Sequence, residues 1–159
     1  MRLTRYTDYA MRVLIYLAVR PGQLSSIREI TRAYGVSQSH LMKVVNDLVN
    51  AGYLTSVRGR FGGIRLARDP REINVGAVVR HTEDGFELVD CADCVIAPAC
   101  GLTGALDEAL AAFLAVLDGY SLHDLMAQRR SVAALLGMSD AAPPPARGRG
   151  SAAAATPAG

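Results

Sequence analysis

Between residues 26 and 67 the chain carries, in a fixed order, the start and stop signals of two short helices and then of a hairpin. Ser26 with Glu29 three residues on is a capping box, in which each side chain satisfies an amide donor that the first helical turn leaves free. Ile27, Ile30 and Tyr34 follow at helical spacing, and Gly35 ends the segment. Ser37 caps a second helix that runs to Asn50, with Leu41, Val44, Val45 and Leu48 on its inner face and Gly52 as its stop. Two short helices across a glycine turn read as a helix-turn-helix. Residues 53–57 and 64–67 read as strands. The intervening Arg58-Gly59-Arg60-Phe61-Gly62-Gly63 supplies the turn, its glycines offering positive backbone angles and close approach to a partner. A hairpin directly after a helix-turn-helix is a wing. The predicted fold class is therefore mostly α: a winged helix-turn-helix DNA-binding domain with a long C-terminal dimerisation helix.

An amphipathic helix precedes this unit over residues 4–20, with Tyr6, Ala10, Val13, Leu14 and Leu17 on one stripe and Pro21-Gly22 as its stop. A short helix is expected over 75–82, leading into a cysteine segment. A long one follows over 102–117, where Leu102, Leu106, Leu110, Phe113, Leu114 and Leu117 form a broad apolar stripe. Pairing with a second subunit is favoured there over packing on its own domain, since operators are commonly read by two-fold dimers. A further short helix over 122–136 is expected to pack back on the body. Residues 1–137 thus form the regulator: 1–67 the helix-turn-helix and wing, 68–101 the linker helix and cysteine loop, 102–137 the dimerisation and C-terminal helices. Residues 138–159 are mostly Ala, Pro and Gly and cannot bury enough surface to offset their ordering entropy, so a disordered tail is expected.

The formal charge of +2 hides an asymmetry. Residues 1–67 carry ten Lys/Arg against three acids, a balance of +7, while the other 92 carry seven against twelve, a balance of −5. A cationic front is the footprint of a polyanion binder, although a solvated basic face would give the same count. The longest apolar run, residues 109–117, stops at Asp118, short of the ~18 residues a membrane span needs. Arg2 and Arg5 ahead of Val13 to Val19 resemble a secretory signal, but Asp8 and Arg12 interrupt it and its apolar residues have helical spacing, so a structural helix is expected. A cytoplasmic protein with no membrane partner is expected.

In a helix-turn-helix the second helix lies in the major groove, with its N-terminal residues at base edges. Here these are Gln38, Ser39, His40 and Lys43, all off the apolar stripe. Gln suits adenine, Ser several edges, and Lys guanine or phosphate. On the wing, Arg58, Arg60 and Arg65 surround Gly62 and Gly63, and arginine on a thin wing suits a narrow minor groove. These nine residues are the expected contacts to double-stranded operator DNA.

All three cysteines, Cys91, Cys94 and Cys100, fall within ten residues. An odd, clustered set argues against a disulfide framework. Thiolates select iron–sulfur clusters, zinc or copper(I), and a four-site centre needs one more ligand, for which Asp8, Asp93, His81 and His123 are available. A dithiol switch at Cys91 and Cys94, or a zinc site, are the other readings of the same spacing. No histidine lies near the cysteines in sequence to act as a base, so no enzyme is expected.

The chain resembles a known family at these residues. Its opening Met1-Arg2-Leu3-Thr4-Arg5-Tyr6-Thr7-Asp8-Tyr9-Ala10-Met11-Arg12 is similar to the Rrf-two-type winged-helix transcriptional regulators of bacteria. So are Tyr34-Gly35-Val36-Ser37, His40-Leu41-Met42-Lys43-Val44 and the wing from Val57 to Leu66. Val79-Arg80 followed by Glu83, Leu88-Val89-Asp90-Cys91, Ile96-Ala97-Pro98-Ala99-Cys100, and Ala112-Phe113-Leu114 before Leu117-Asp118-Gly119-Tyr120 resemble the nitric-oxide-sensing repressors of that family. The match covers about residues 1–137, with Cys94 closer to Cys91 than that pattern has it. The resemblance implies a homodimer with one iron–sulfur cluster per subunit, 4Fe–4S ahead of 2Fe–2S, on Cys91, Cys94 and Cys100. Asp8 matches an aspartate that completes the cluster from the partner's first helix. Nitric oxide is then the signal that releases operator DNA. An iron- or iron–sulfur-status-sensing repressor of the same family is the alternative.

Overall fold

The computed structural model describes residues 2–138. Helix α1 (Arg5–Val19) starts where the Thr4 hydroxyl accepts from the Thr7 amide at 3.3 Å. Its stripe places Ala10, Val13, Leu14 and Leu17 at the centre of the core. Full burial of a large aliphatic side chain stabilises by roughly 1.5–3 kcal/mol, several times any helix propensity, so packing is what holds α1 there. Helices α2 (Ile27–Tyr34) and α3 (Gln38–Asn50) lie against each other, and α3 also packs on α1. The capping box of α2 forms in both directions: the Glu29 amide donates to Ser26 Oγ at 3.2 Å, and the Ser26 amide to Glu29 Oε2 at 2.6 Å. Gly35 closes α2 with φ +64°, a left-handed conformation that glycine adopts at little cost. At the start of α3 the expected cap differs. Ser37 occupies the cap position, but its hydroxyl pairs with Ser39 Oγ at 2.9 Å and no backbone amide is capped.

Strands β1 (Leu54–Val57) and β2 (Gly63–Leu66) pair antiparallel, from Leu54 opposite Leu66 to Val57 opposite Gly63. Ser25 adds a third rung: its amide donates to the Ile64 carbonyl at 3.0 Å and its carbonyl accepts from the Ile64 amide at 2.9 Å. That bridge ties the base of the wing to the residues leading into α2.

Helix α4 (Val75–Thr82), capped by Asn74, packs on α1 and on α5 (Leu102–Asp118). None of the residues of α5 is buried; Leu106, Leu110, Phe113, Leu114 and Leu117 are half-buried, while Leu102 and Val116 are exposed. The expected single helix over 122–136 is a correction. The chain forms a 3₁₀ turn (Asp124–Met126), breaks at Gln128 (φ −110°, ψ 39°), and only then forms α6 (Arg129–Leu135). Leu122 and Met126 are buried on one side of the break, and on the other Arg129 Nε and Nη2 donate to the Val19 carbonyl at 2.9 and 2.6 Å. These contacts fix both flanks and override the local helical preference. Met138, one residue past the expected domain boundary, is only 6% exposed and joins the core. The rest of the expected tail lies outside the described residues. Among the described residues no helix is long and apolar enough to cross a membrane.

Candidate nucleic-acid interface and cysteine loop

Burial of Leu41, Val44, Val45 and Leu48 fixes the roll of α3, and with it which side chains face outward. Gln38, Ser39, His40 and Lys43 are all exposed on the opposite face, at the N-terminal end. Arg58, Arg60 and Arg65 are exposed on the wing, which follows α3 directly and packs against it through β1. The structure thus brings the seven side chains expected to contact DNA onto two adjoining elements.

Gly62 and Gly63 are glycines for reasons found within the chain. A Cβ on Gly62 would lie 2.2 Å from the Val57 carbonyl oxygen, and one on Gly63 would lie 2.8 Å from that of Ser25. Neither has a positive φ; that role falls to Gly59, at φ +114°. The Gly62 amide donates to the Gly59 carbonyl at 3.0 Å, closing a β-turn whose two corner residues are Arg60 and Phe61.

The cysteine loop spans residues 84–100, none of which is buried. Cys91 and Cys100 are half-buried, Cys94 is exposed, and all three thiols are free. The Cys94 amide donates to the Cys91 carbonyl at 3.3 Å, Ala97 to Cys94 at 3.1 Å, and Cys100 to Ala97 at 3.4 Å, so the loop winds in successive tight turns. Among the described residues no three His, Cys, Asp or Glu side chains converge closely enough to hold a metal ion. The donor set itself, three soft thiols in ten residues, suits a cluster or a soft metal. Closing the loop around one displaces no core packing, because none of these residues is buried.

The residues weighed as a fourth ligand are dispersed. Asp93 is exposed in the loop, and His123 stands 3.9 Å from Asp124. Asp8, on the first turn of α1, accepts from Arg12 Nε and Nη2, both at 2.9 Å. Both partners are more than a third exposed, so the pair contributes at most about 1 kcal/mol and is a weak restraint on Asp8. His81 faces the reading head instead: its Nε2 donates to Asp47 Oδ2 on α3 at 3.0 Å.

That last contact belongs to a hub that the sequence did not reveal. Beside Asp47 lies Tyr6 of α1, whose pKa is raised by burial first and then by the Asp47 charge, so the phenol stays protonated. At the end of α4, Glu83 Oε1 accepts from the Thr4 amide at 2.8 Å, from Thr4 Oγ1 at 3.1 Å and from Thr7 Oγ1. At its other side, Arg80 reaches Asp118 of α5 through two bonds of 2.5 and 2.7 Å, which hold the Asp118 carboxyl below the usual range. Helix α4 therefore touches the recognition helix, the start of α1, the end of α5 and the entry to the cysteine loop. These partners lie 34 to 79 residues away in sequence, beyond the reach of periodicity or capping signals.

The Rrf2 family, described as iron-dependent transcriptional regulator, matches residues 3–128. HTH-type transcriptional regulator NsrR of Bacillus subtilis (strain 168) is 53% identical over 146 residues, covering 88% of this chain and 100% of that protein. The regulator of the same name from Geobacillus kaustophilus is 49% identical over 142 residues, covering 86% and 97%. Among solved structures, T. potens IscR superposes with a TM-score of 0.68 at 25% identity, over 83% of this chain and 90% of that one. CymR, the global cysteine regulator of B. subtilis, superposes at 0.63 with 28% identity, over 79% and 95%. The chain is a transcriptional regulator of the Rrf2 family rather than an enzyme, similar over most of its length to NsrR.

Proposed function

We propose that this regulator is a homodimeric repressor that holds double-stranded operator DNA and releases it in response to nitric oxide, sensed at an iron–sulfur cluster. Cys91, Cys94 and Cys100 would hold the cluster, 4Fe–4S ahead of 2Fe–2S, with Asp8 of a second copy completing the set. The observation that carries this reading is the trio of free thiols on a loop with no core of its own, in a chain 53% identical to NsrR. A bound cluster would supply iron for nitric oxide to bind, most readily where a carboxylate rather than a thiolate is the ligand. Exposed apolar side chains run from Leu88 and Val89 through Val95 (95% exposed) and Ile96 (64%) to Leu102 and the outer face of α5. An open band of that kind suits a subunit interface.

Helix α4 then links the two ends of the molecule. Glu83 fixes the loop's entry to the start of α1, Arg80 fixes α4 to the end of α5, and His81 holds Asp47 of the recognition helix. A change in how the loop and α5 sit against a second copy is carried by these contacts to α3. Half-site spacing is a strict requirement for dimeric readers, so a small rotation suffices to lose the operator.

The test is a nitric oxide titration of anaerobically purified protein bound to its operator duplex. Loss of visible absorbance and release of DNA in the same titration are the expected result. The alternative, an iron-status sensor, draws on the family's iron-dependent description and the likeness to IscR. It requires release on iron chelation and indifference to nitric oxide. A colourless protein that binds the operator under all these conditions sinks both readings.

For the DNA surface, Arg60→Ala is expected to weaken operator binding about tenfold and to lower the salt slope by roughly 0.9 for each phosphate that the arginine no longer neutralises. Unchanged affinity across a salt titration would remove Arg60 from the interface.

A further inference from the structure

Phe61 sits at the corner of the wing turn and is 86% exposed. Its organised neighbour is the Arg60 guanidinium, 5.8 Å from the ring centroid. The turn is built to hold it there. Gly59 takes a backbone angle that L side chains rarely adopt, and Gly62 has no room for a Cβ against the Val57 carbonyl. With both positions constrained, Arg60 and Phe61 are directed outward from the tip of a two-stranded hairpin. Of the other strongly exposed apolar residues, Val95, Ile96, Leu102 and Val116 belong to the cysteine loop and α5, the band assigned above to a subunit interface, and Leu135 (87% exposed) ends α6. Phe61 instead shares its hairpin with Arg58, Arg60 and Arg65. A ring among cations suits a partner that is anionic at its rim and offers stackable, apolar surface within. The minor groove of duplex DNA has that chemistry: phosphates along both edges, sugars and base edges inside.

We propose that Phe61 is a wedge that enters the operator minor groove beside Arg60 and opens one base step, bending the duplex. Apolar side chains used in this way, Phe and Leu among them, kink DNA by about 20–90° toward the major groove. Arg60 contributes charge and Phe61 contributes shape, and the two roles separate experimentally because only the first depends on salt. The wedge makes operator choice depend on how easily the step under the wing unstacks, with flexible TA or CA steps favoured there. This proposal rests on the DNA-binding reading above.

The full-length protein is first used to select its preferred duplex from a random-sequence pool, and binding and bending of that duplex are then measured by anisotropy and by energy transfer between end labels. Phe61→Ala is expected to weaken binding about tenfold and to reduce the bend, with the salt slope unchanged. Phe61→Leu is expected to restore most of both, as an apolar wedge should. Phe61→Ala binding within twofold of wild type with the same bend overturns the proposal. So does a fall in salt slope equal to that of Arg60→Ala, which would make the ring a mere support for the guanidinium. A change in the monomer–dimer equilibrium of Phe61→Ala without DNA would assign the ring to a protein interface and overturn it too. Failure of the wild-type protein to select any duplex would sink the DNA-binding reading itself.

Discussion

Replacing Gly62 with alanine is expected to weaken operator binding about 100-fold, the effect of removing two groove interactions of about 1–3 kcal/mol each. The added Cβ would meet the Val57 carbonyl oxygen at 2.2 Å, and the Arg58 carbonyl carbon and Gly59 carbonyl oxygen at 3.0 Å. All three are backbone atoms, so no flexible side chain can swing aside, and the strands must part where Val57 faces Gly63. Arg58, Arg60 and Phe61 then leave their positions together. The wing tip is exposed and carries none of the core, so the thermal midpoint should move by no more than about 4 °C, the shift of a 1 kcal/mol change in a domain of this size. Affinity by anisotropy and melting by circular dichroism read the two effects separately. An alanine variant that binds as tightly as wild type would mean that the wing takes no part in DNA recognition. A large drop in melting temperature would mean that the wing supports the fold instead.

What was legible in the sequence follows the range of the interaction that sets each feature. The Ser26–Glu29 capping box and the left-handed Gly35 are decided within four residues, and local signals located them. The inner face of α3 was equally readable, because burial of Leu41, Val44, Val45 and Leu48 follows the helical period. The break at Gln128 was not, since it is held by Arg129 on a carbonyl 110 residues earlier. Gly62 and Gly63 were recognised as places of close approach, but the backbones approached are those of Val57 and Ser25, which pair only once the wing has folded. The cysteines announced soft-ligand chemistry by type and spacing. Their completing ligand could not be read from spacing, because the fold leaves the candidates apart: Asp8 on Arg12, His81 on Asp47 of α3, His123 beside Asp124, and Asp93 exposed in the loop. The α4 hub was also out of reach: His81 looked like a ligand by residue type, and only the folded chain sets it on Asp47.

Serine in place of Cys91, Cys94 and Cys100 together is expected to leave the protein with under a tenth of the wild-type iron and no response of its DNA complex to nitric oxide. Hydroxyls are hard, weakly acidic ligands and replace thiolates poorly on iron–sulfur centres. Iron content and absorbance report ligand loss without reference to DNA. The fold should survive: the three thiols form no disulfide, none is in the core, and no residue of 84–100 is buried, so the variant should melt with the iron-free wild type. The operator complex is where a large change is expected. Allosteric coupling between two sites is commonly about 1–3 kcal/mol, or 5–150-fold in affinity, and the spacing of two reading heads places this regulator toward the upper end. A loss of about 30-fold or more, equal to that of iron-free wild type, is the predicted outcome. His81→Gln in the iron-loaded protein then separates coupling from binding. If Asp47 is the point at which the loop's state reaches α3, this variant keeps its iron while the difference in affinity between loaded and iron-free forms shrinks. Equal operator affinity in the serine variant and the iron-loaded wild type would mean that the cysteine loop has no say in how the two heads are set.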